Sequence, residues 1–428
     1  MAMWTVHLEG GPRRVNHAAV AIGRKIYSFG GYCSGEVTNS KDPLDVHVLD
    51  TNNYRWTKVD PVYNFENQVF SLSEFLQISE ESDKFDCTVP FQRYGHTVVE
   101  FNGKAYVWGG RNDDYGACNM LHEYDPVKNL WRKVKVDGFI PPSRDGHTAV
   151  VWNNQMFVFG GFEEDMQRFS QETYVFNFST STWRELHTTD SPPLWRDFHT
   201  ASVINGIMYI FGGRSDHQGQ VGDEHLFHST HDLYDATLMA LNLSTGVWSK
   251  PTVEDNGTRP GGRRSHSTWV FDDKMFMFGG YLGTRNVHYN ELYCYNPESS
   301  SWSVIDVRGT YPTARRRHCS VVSNGKVYLF GGTMPNPATC HPLSTTVYNG
   351  NISPSGLADL SDLHVLDFAP TLKTLAMDQV LRDLKAPSAN IYSTLQHDVP
   401  ADLRYEMYCQ VTPNNVAASG SYRNDQSG

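Results

Sequence analysis

A histidine followed thirteen positions later by a Gly-Gly pair occurs six times in this chain. The copies are His17 with Gly30-Gly31, His96 with Gly109-Gly110, His147 with Gly160-Gly161, His199 with Gly212-Gly213, His266 with Gly279-Gly280 and His318 with Gly331-Gly332. One fixed offset, repeated at a period of about fifty residues, marks a repeat architecture and rules out most other folds for the segment that carries it. Each copy must be one small unit, stacked on the next.

The unit can be read from the third copy. An apolar run follows His147, two polar residues (Asn153 and Asn154) turn the chain, and Met156–Phe159 runs into the glycines. That is hairpin punctuation. The Gly pair lets the chain leave the strand through backbone angles that a side chain forbids. A third strand, Thr173–Asn177, and a fourth carrying Trp183 complete four antiparallel strands. Four strands with a Gly pair and a late Trp resemble a kelch blade, which implies a β-propeller.

Tryptophans at 56, 131, 183, 248 and 302 end the first five copies, and the sixth has none after it. Trp4 stands upstream of the first His, where a preceding blade would end. Residues 3–8 are therefore expected to complete the sixth blade, so that both ends of the propeller meet and no sheet edge stays open. The expected fold is all-β: a six-bladed kelch propeller over 1–368, closed by the N-terminal strand. A short α-helical segment at 369–412 and a flexible tail at 413–428 follow.

Seven cysteines without a C-x-x-C pair read as reduced thiols, pointing to cytoplasm and nucleus. Met1 to Gly11 is too polar for a signal peptide, and no apolar run is long enough to span a bilayer. The net charge of −11 disfavours direct nucleic-acid binding or an anionic membrane. Three insertions interrupt the repeats. Residues 60–90 read as a long loop with a short helix, 214–232 carries His225, His228 and His231, and 333–361 is rich in Pro, Ser, Thr and Asn. The three histidines read as a polar loop, since no Cys or paired carboxylate completes a zinc shell. No metal and no cofactor is expected.

After Phe368 the period changes. Leu372, Ala376 and Val380 fall at i, i+4 and i+8, with Leu375 beside them, which is one apolar helix face. A second helix is expected near 398–407, with Asp398 as its cap and Pro400 in its first turn. Thr371-Leu372-x-x-x-Ala376-x-x-x-Val380 resembles the box by which substrate receptors bind elongin C, although Ala376 stands where Cys is commonest. Val399-Pro400-x-x-Leu403 resembles a cullin-2 box. The opening Trp4–Val20, the Arg315-Arg316-Arg317 run and Leu363–Phe368 extend the likeness to kelch-repeat substrate receptors of cullin-2–elongin ubiquitin ligases. The resemblance implies elongin B/C and cullin-2 as partners, C-terminal degrons ending in glycine as ligands, and no catalytic residue in this chain.

Loops of a propeller meet around its central channel. Residues just after each Gly pair and just before each repeat His are expected to line one mouth. These include Tyr32, Arg111 and Arg214 from the first set, and Tyr94, Asp145, Asp197, Phe198, Arg264, Ser265 and Arg316 from the second. A guanidinium grips a carboxylate with two hydrogen bonds, and aromatic walls exclude competing water. By the resemblance, Arg214 matches a carboxylate-gripping arginine and Tyr32 an aromatic wall. The partner arginine's position is Gly219, so Arg264 or His217 is expected to substitute. Asp145 and Asp197 are placed to receive a basic penultimate residue. The arginine three before each His belongs to the repeat and reads as scaffold, as do the six histidines. The terminal Gly428 suggests that the tail could enter its own or a neighbour's pocket. Two other readings compete. One is a non-ligase scaffold binding actin or chromatin. The other is a copper oxidase of the galactose-oxidase kind, for which no His and Tyr constellation is found.

Overall fold

The structure, a computed structural model, describes residues 2–36, 42–60, 88–216, 232–254, 257–336, 356–384 and 399–416, with the backbone of two short strands at 63–65 and 68–70. Six sheets form the six blades, each with four antiparallel strands; the sheets of blades III and VI add a short parallel fifth strand at the edge, Asp137–Gly138 and Arg308–Gly309. Blade I runs Ala18–Ile22, Lys25–Phe29, Val46–Asp50 and Arg55–Val59, each strand pairing with the next. Blades II to V repeat this order, with first strands Thr97–Phe101, Thr148–Trp152, Thr200–Ile204 and Ser267–Phe271. Each first strand lies beside the first strand of the next blade, and Cys319–Ser323 of blade VI lies beside Ala18–Ile22, so the ring closes.

Blade VI is completed from the other end of the chain. Met3–Leu8 pairs antiparallel with Leu363–Asp367, as the lone Trp4 predicts. Trp4 is buried against Phe278 of blade V and His364 of blade VI. Leaving this strand unpaired would expose backbone donors and acceptors along a blade edge.

The core is distributed. Buried apolar side chains fall into six wedges, each between neighbouring blades. The residue before each Gly pair is a fully buried aromatic, such as Phe159 or Trp108. It meets the next blade's repeat His: Trp108 to His147 at 4.8 Å, Phe159 to His199 at 5.3 Å. Each such aromatic contributes roughly 1.5–3 kcal/mol on burial.

These contacts explain the repeat signature. A Cβ on Gly160 would stand 2.8 Å from His199 of the next blade, and one on Gly161 would stand 2.8 Å from the Cβ of its own His147. The first glycine therefore makes room for the neighbouring histidine and the second for the blade's own. Both also hold positive φ. The arginine three before the His ties the same corner. Arg144 Nη1 donates to the Gly160 carbonyl at 3.0 Å, and Arg196 Nη1 to that of Gly212 at 2.7 Å. Burial, then the neighbouring scaffold arginine, lowers the pKa of all six imidazoles.

Outside the propeller, α1 spans Leu372–Leu384 and α2 spans Ala401–Val411. The Thr371 hydroxyl caps α1 by accepting the Thr374 N–H at 3.1 Å. Pro400 itself is the N-cap residue of α2, and Asp398 lies outside the described residues. The helices pack together through Met377, Met407, Leu381, Leu384, Val399, Leu403 and Val411. Cys409 of α2 joins the wedge between blades VI and I.

The insertions and the tail add detail to the expected plan. The 60–90 insertion opens with a hairpin, Tyr63–Phe65 against Gln68–Phe70, and the helix expected in it falls outside the described residues. The third insertion is bounded by another, Thr333–Pro335 against Leu357–Asp359. The chain after 412 does not leave the body at once. Asn414 is buried, its Oδ1 accepting the Trp56 N–H at 3.0 Å and its Nδ2 donating to the Tyr54 carbonyl at 3.1 Å. An Asn can satisfy backbone donors and acceptors like a strand partner, which polar composition alone does not reveal. His217, Gly219, the histidines at 225, 228 and 231, and Gly428 lie outside the described residues.

Candidate functional site: the channel mouth

The residue before each repeat His is Asn16, Gly95, Gly146, Phe198, Ser265 or Arg317, and all six have left-handed φ between 49° and 67°. Their backbones form a closed circle. Gly95 N–H donates to Asn16, Gly146 to Gly95, Phe198 to Gly146, Ser265 to Phe198, Arg317 to Ser265 and Asn16 to Arg317, at 2.7–3.1 Å. The circle and the repeat histidines line a cavity at the channel. It forms the floor of the mouth.

Around the floor, residues flanking the repeats pair as expected. Val15 bridges to Tyr32, Tyr94 to Arg111, Arg264 to Tyr281 and Arg316 to Thr333. Asp145 pairs with Phe162 and Asp197 with Arg214. One wall is aromatic: Tyr32 and Tyr94 meet edge-to-face at 5.2 Å, and Arg317 Nη1 donates to the Tyr32 hydroxyl at 2.7 Å. Phe198 and Ser265 sit on the floor itself.

The charges divide by blade. On blades III and IV, Arg214 is 5% exposed and grips Asp197 with two hydrogen bonds, Nη2 to Oδ2 at 2.5 Å and Nε to Oδ1 at 3.1 Å. Burial would lower the Arg214 pKa, but Asp197 raises it. The arginine that the resemblance marks for a ligand carboxylate thus holds an internal one. Asp197 is matched by the same pair. Beside it Asp145 is buried, with no partner for Oδ1. Burial, then the nearby Asp197, pushes its carboxyl up to about 7. Arg111 lies 3.8 Å from Glu164 of the next blade.

Blades V and VI are cationic. Arg316 is 7% exposed, stacks 4.0 Å above the Tyr281 ring, and has Nε and Nη1 buried without a hydrogen-bond partner. Among the described residues no carboxylate lies within ion-pair distance of it. Burial, then Arg317 and Arg264, lowers its pKa to about 10. Arg264 is buried between the Tyr234 and Tyr281 rings at 5.9 and 5.6 Å, and burial lowers its pKa too. Arg316 thus keeps two open donors among like charges, surroundings that favour an anion. The sequence signal for Arg316 was its place one residue after the scaffold arginine, in a run of three.

On the tail, the predicted box residues face outward. Leu372 is 86% exposed, Leu375 41% and Val380 37%, and Thr371 and Ala376 are exposed as well. Leu375 also borders a groove against Met3 and Gly309. Val399 and Leu403 instead pack, half-buried, against the helix pair, while Pro400 is exposed. Among the described residues one cluster brings three metal-type donors together: His7, Asp362 and His364. Arg315 already holds both Asp362 oxygens, at 2.7 and 2.6 Å, so the cluster reads as a closure network.

The chain matches known proteins along its length. A model of the KLHDC2/KLHL20/DRC7 Kelch-repeats domain covers residues 95–332, and a Kelch motif model covers 13–62. The chain is 39% identical to Kelch domain-containing protein 3 of Homo sapiens over 97% of this chain and 98% of that protein. The Bos taurus protein of the same name is 38% identical over the same shares. Host cell factor 2 of Homo sapiens is 31% identical over 59% of this chain and 32% of its own length. Six blades, their shared His and Gly-Gly geometry and these matches together place the chain in the kelch-repeat family.

Proposed function

We propose that this protein is the substrate-recognition subunit of a cullin-2–elongin B/C ubiquitin ligase, working in cytoplasm and nucleus and binding target proteins by glycine-ended C-terminal degrons. One observation carries the reading: α1 docks by one face and leaves the other bare. Met377 is buried against α2, while Leu372, Ala376 and Val380 stand exposed on an adjacent stripe. An apolar helix stripe fits a partner's groove. It is the stripe whose spacing resembles the elongin C box. Val399 and Leu403 support the helix pair, leaving Pro400 and its surroundings for the cullin. Ubiquitin transfer falls to the partners, so this chain has no catalytic residue and needs no cofactor.

The mouth supplies the ligand site. Arg316, with Arg264 and Arg317 beside it, receives the terminal carboxylate; Tyr32, Tyr94 and Phe198 wall it; Ser265 offers a hydroxyl. Arg214 acts through Asp197, holding the acidic side in place, and Asp145 and Arg111 flank that side. Leu372→Asp tests the assembly. The wild type co-purifies with elongins B and C and cullin-2, and the variant, with an unchanged melting curve, does not. Wild type that ignores elongin would turn the reading toward a kelch scaffold without ligase partners.

A further inference from the structure

A titratable side chain stands beside the arginine cluster without a hydrogen-bond partner. The hairpin that follows the Gly pair of blade V pairs Tyr281–Leu282 with Val287–His288, which sets His288 directly opposite Tyr281. One tyrosine ring thus receives two neighbours. Arg316 stacks 4.0 Å above it, and the His288 imidazole lies 4.7 Å from it at 45°. The Tyr281 hydroxyl donates to Asn286 Oδ1 at 3.0 Å, which holds the ring in place.

Both His288 nitrogens are buried and unbonded. A neutral imidazole carries one donor and one acceptor, so one of each is left open. Other open atoms gather nearby: Nε and Nη1 of Arg316, and the Tyr234 hydroxyl beside Arg264. The titratable and charged groups that bear on His288 are Tyr281 of its own hairpin, and Arg316 and Arg317 of the run before His318. Burial, then these two arginines, lowers its pKa to about 4. Among the described residues the histidines within ion-pair distance of a carboxylate are His7 and His364. An imidazole held neutral by neighbouring cations charges when an anion enters. A carboxylate at Arg316 offsets the repulsion and supplies the acceptor that an imidazolium lacks here.

We propose that His288 couples ligand binding to a proton: it takes one up from solvent as a carboxylate settles beside Arg316, so the ligand is held more tightly in acid and released as pH rises. The imidazolium N–H then donates to the carboxylate, and on release the proton returns to solvent. The inference rests on the reading of the mouth as a site for a chain end, and it adds a regulation to that site.

An acetylated glycine-ended peptide without His, Cys, Asp or Glu tests it, titrated calorimetrically into the full chain from about pH 8 to about pH 6. Such a peptide has only its terminal carboxyl to titrate at the acid end, far below that window. Wild-type affinity rises about tenfold across the window, as for one group whose pKa in the complex is about 7. Buffers of different ionisation enthalpy report the proton taken up. His288→Gln keeps a donor but cannot ionise, and it breaks no side-chain hydrogen bond. With its melting curve unchanged, it loses both the rise and the proton. Asp145, the other group raised into this window, is set aside by Asp145→Asn, which keeps both. Wild-type affinity that is flat with pH, a rise that survives His288→Gln, or one lost in Asp145→Asn overturns the proposal while the mouth stands. If no peptide binds at any pH, or if the amidated peptide binds as tightly as the acid, the mouth reading fails and the proposal falls with it.

Discussion

Arg315 and Arg316 are neighbours in sequence and opposites in environment. Arg315 is fully buried, grips Asp362 with both amino groups, and donates to the Gly331 carbonyl at 3.3 Å. Arg316 is nearly as buried, yet two of its nitrogens have no partner and its charged neighbours are arginines. Arg316 forms an isolated bridge to Thr333, and extended backbone turns successive side chains to opposite sides. One position serves the corner that every blade repeats, and the next faces the mouth, where blades differ. The lesson is that a repeat's shared residues build the body and its private ones build the site.

The closing strand sets the largest expected effect. Removing residues 1–9 strips Trp4 and the fourth strand from blade VI and lowers the melting temperature by many degrees, read by calorimetry. An unchanged curve would mean the ring closes without it. Next, Arg315→Ala leaves Asp362 buried without its counter-ion and costs about 3–5 kcal/mol in chemical denaturation. Arg316→Ala removes an uncompensated charge, so stability holds or rises while affinity for a glycine-ended peptide falls by about 1.5–3 kcal/mol. Equal loss of stability in both variants would erase the distinction between them. Arg214→Ala should resemble Arg315→Ala, because it strands Asp197.

The smallest effect is a pH dependence. Asp145 has its folded pKa raised to about 7, above the usual carboxylate range, so the folded state binds the extra proton. Stability contributed by the neutral form is present at low pH and is lost as pH rises from about 4 through about 7. Asp145→Asn therefore stabilises more at pH about 8 than at pH about 5. A gain that does not change with pH would assign it to packing instead of charge.

The scaffold was legible because it is periodic. The His-to-glycine offset reports a contact made six times, and Trp4 reports the closure by being one tryptophan displaced to the front. The stripe on α1 was legible for the same reason, since its period shows which residues share a face. The mouth was legible only as a set of positions. Nothing in the spacing says that Arg214 turns to Asp197 or that Arg316 is left with open donors, because those outcomes depend on which side chains meet across the ring. Asn414 was missed because a single side chain replaces a strand's hydrogen bonds without leaving a pattern.

The circle of six backbone hydrogen bonds beneath the mouth uses no side chain at all. Its members here are as unlike as Gly146, Phe198 and Arg317, each in the same left-handed conformation. A floor built this way is indifferent to what projects from it, apart from a strain of about 1–3 kcal/mol at each non-glycine position. Six residues around one opening can then differ in side chain while their backbones keep one pattern of hydrogen bonds. What projects into the mouth is set apart from the bonds that close the ring beneath it.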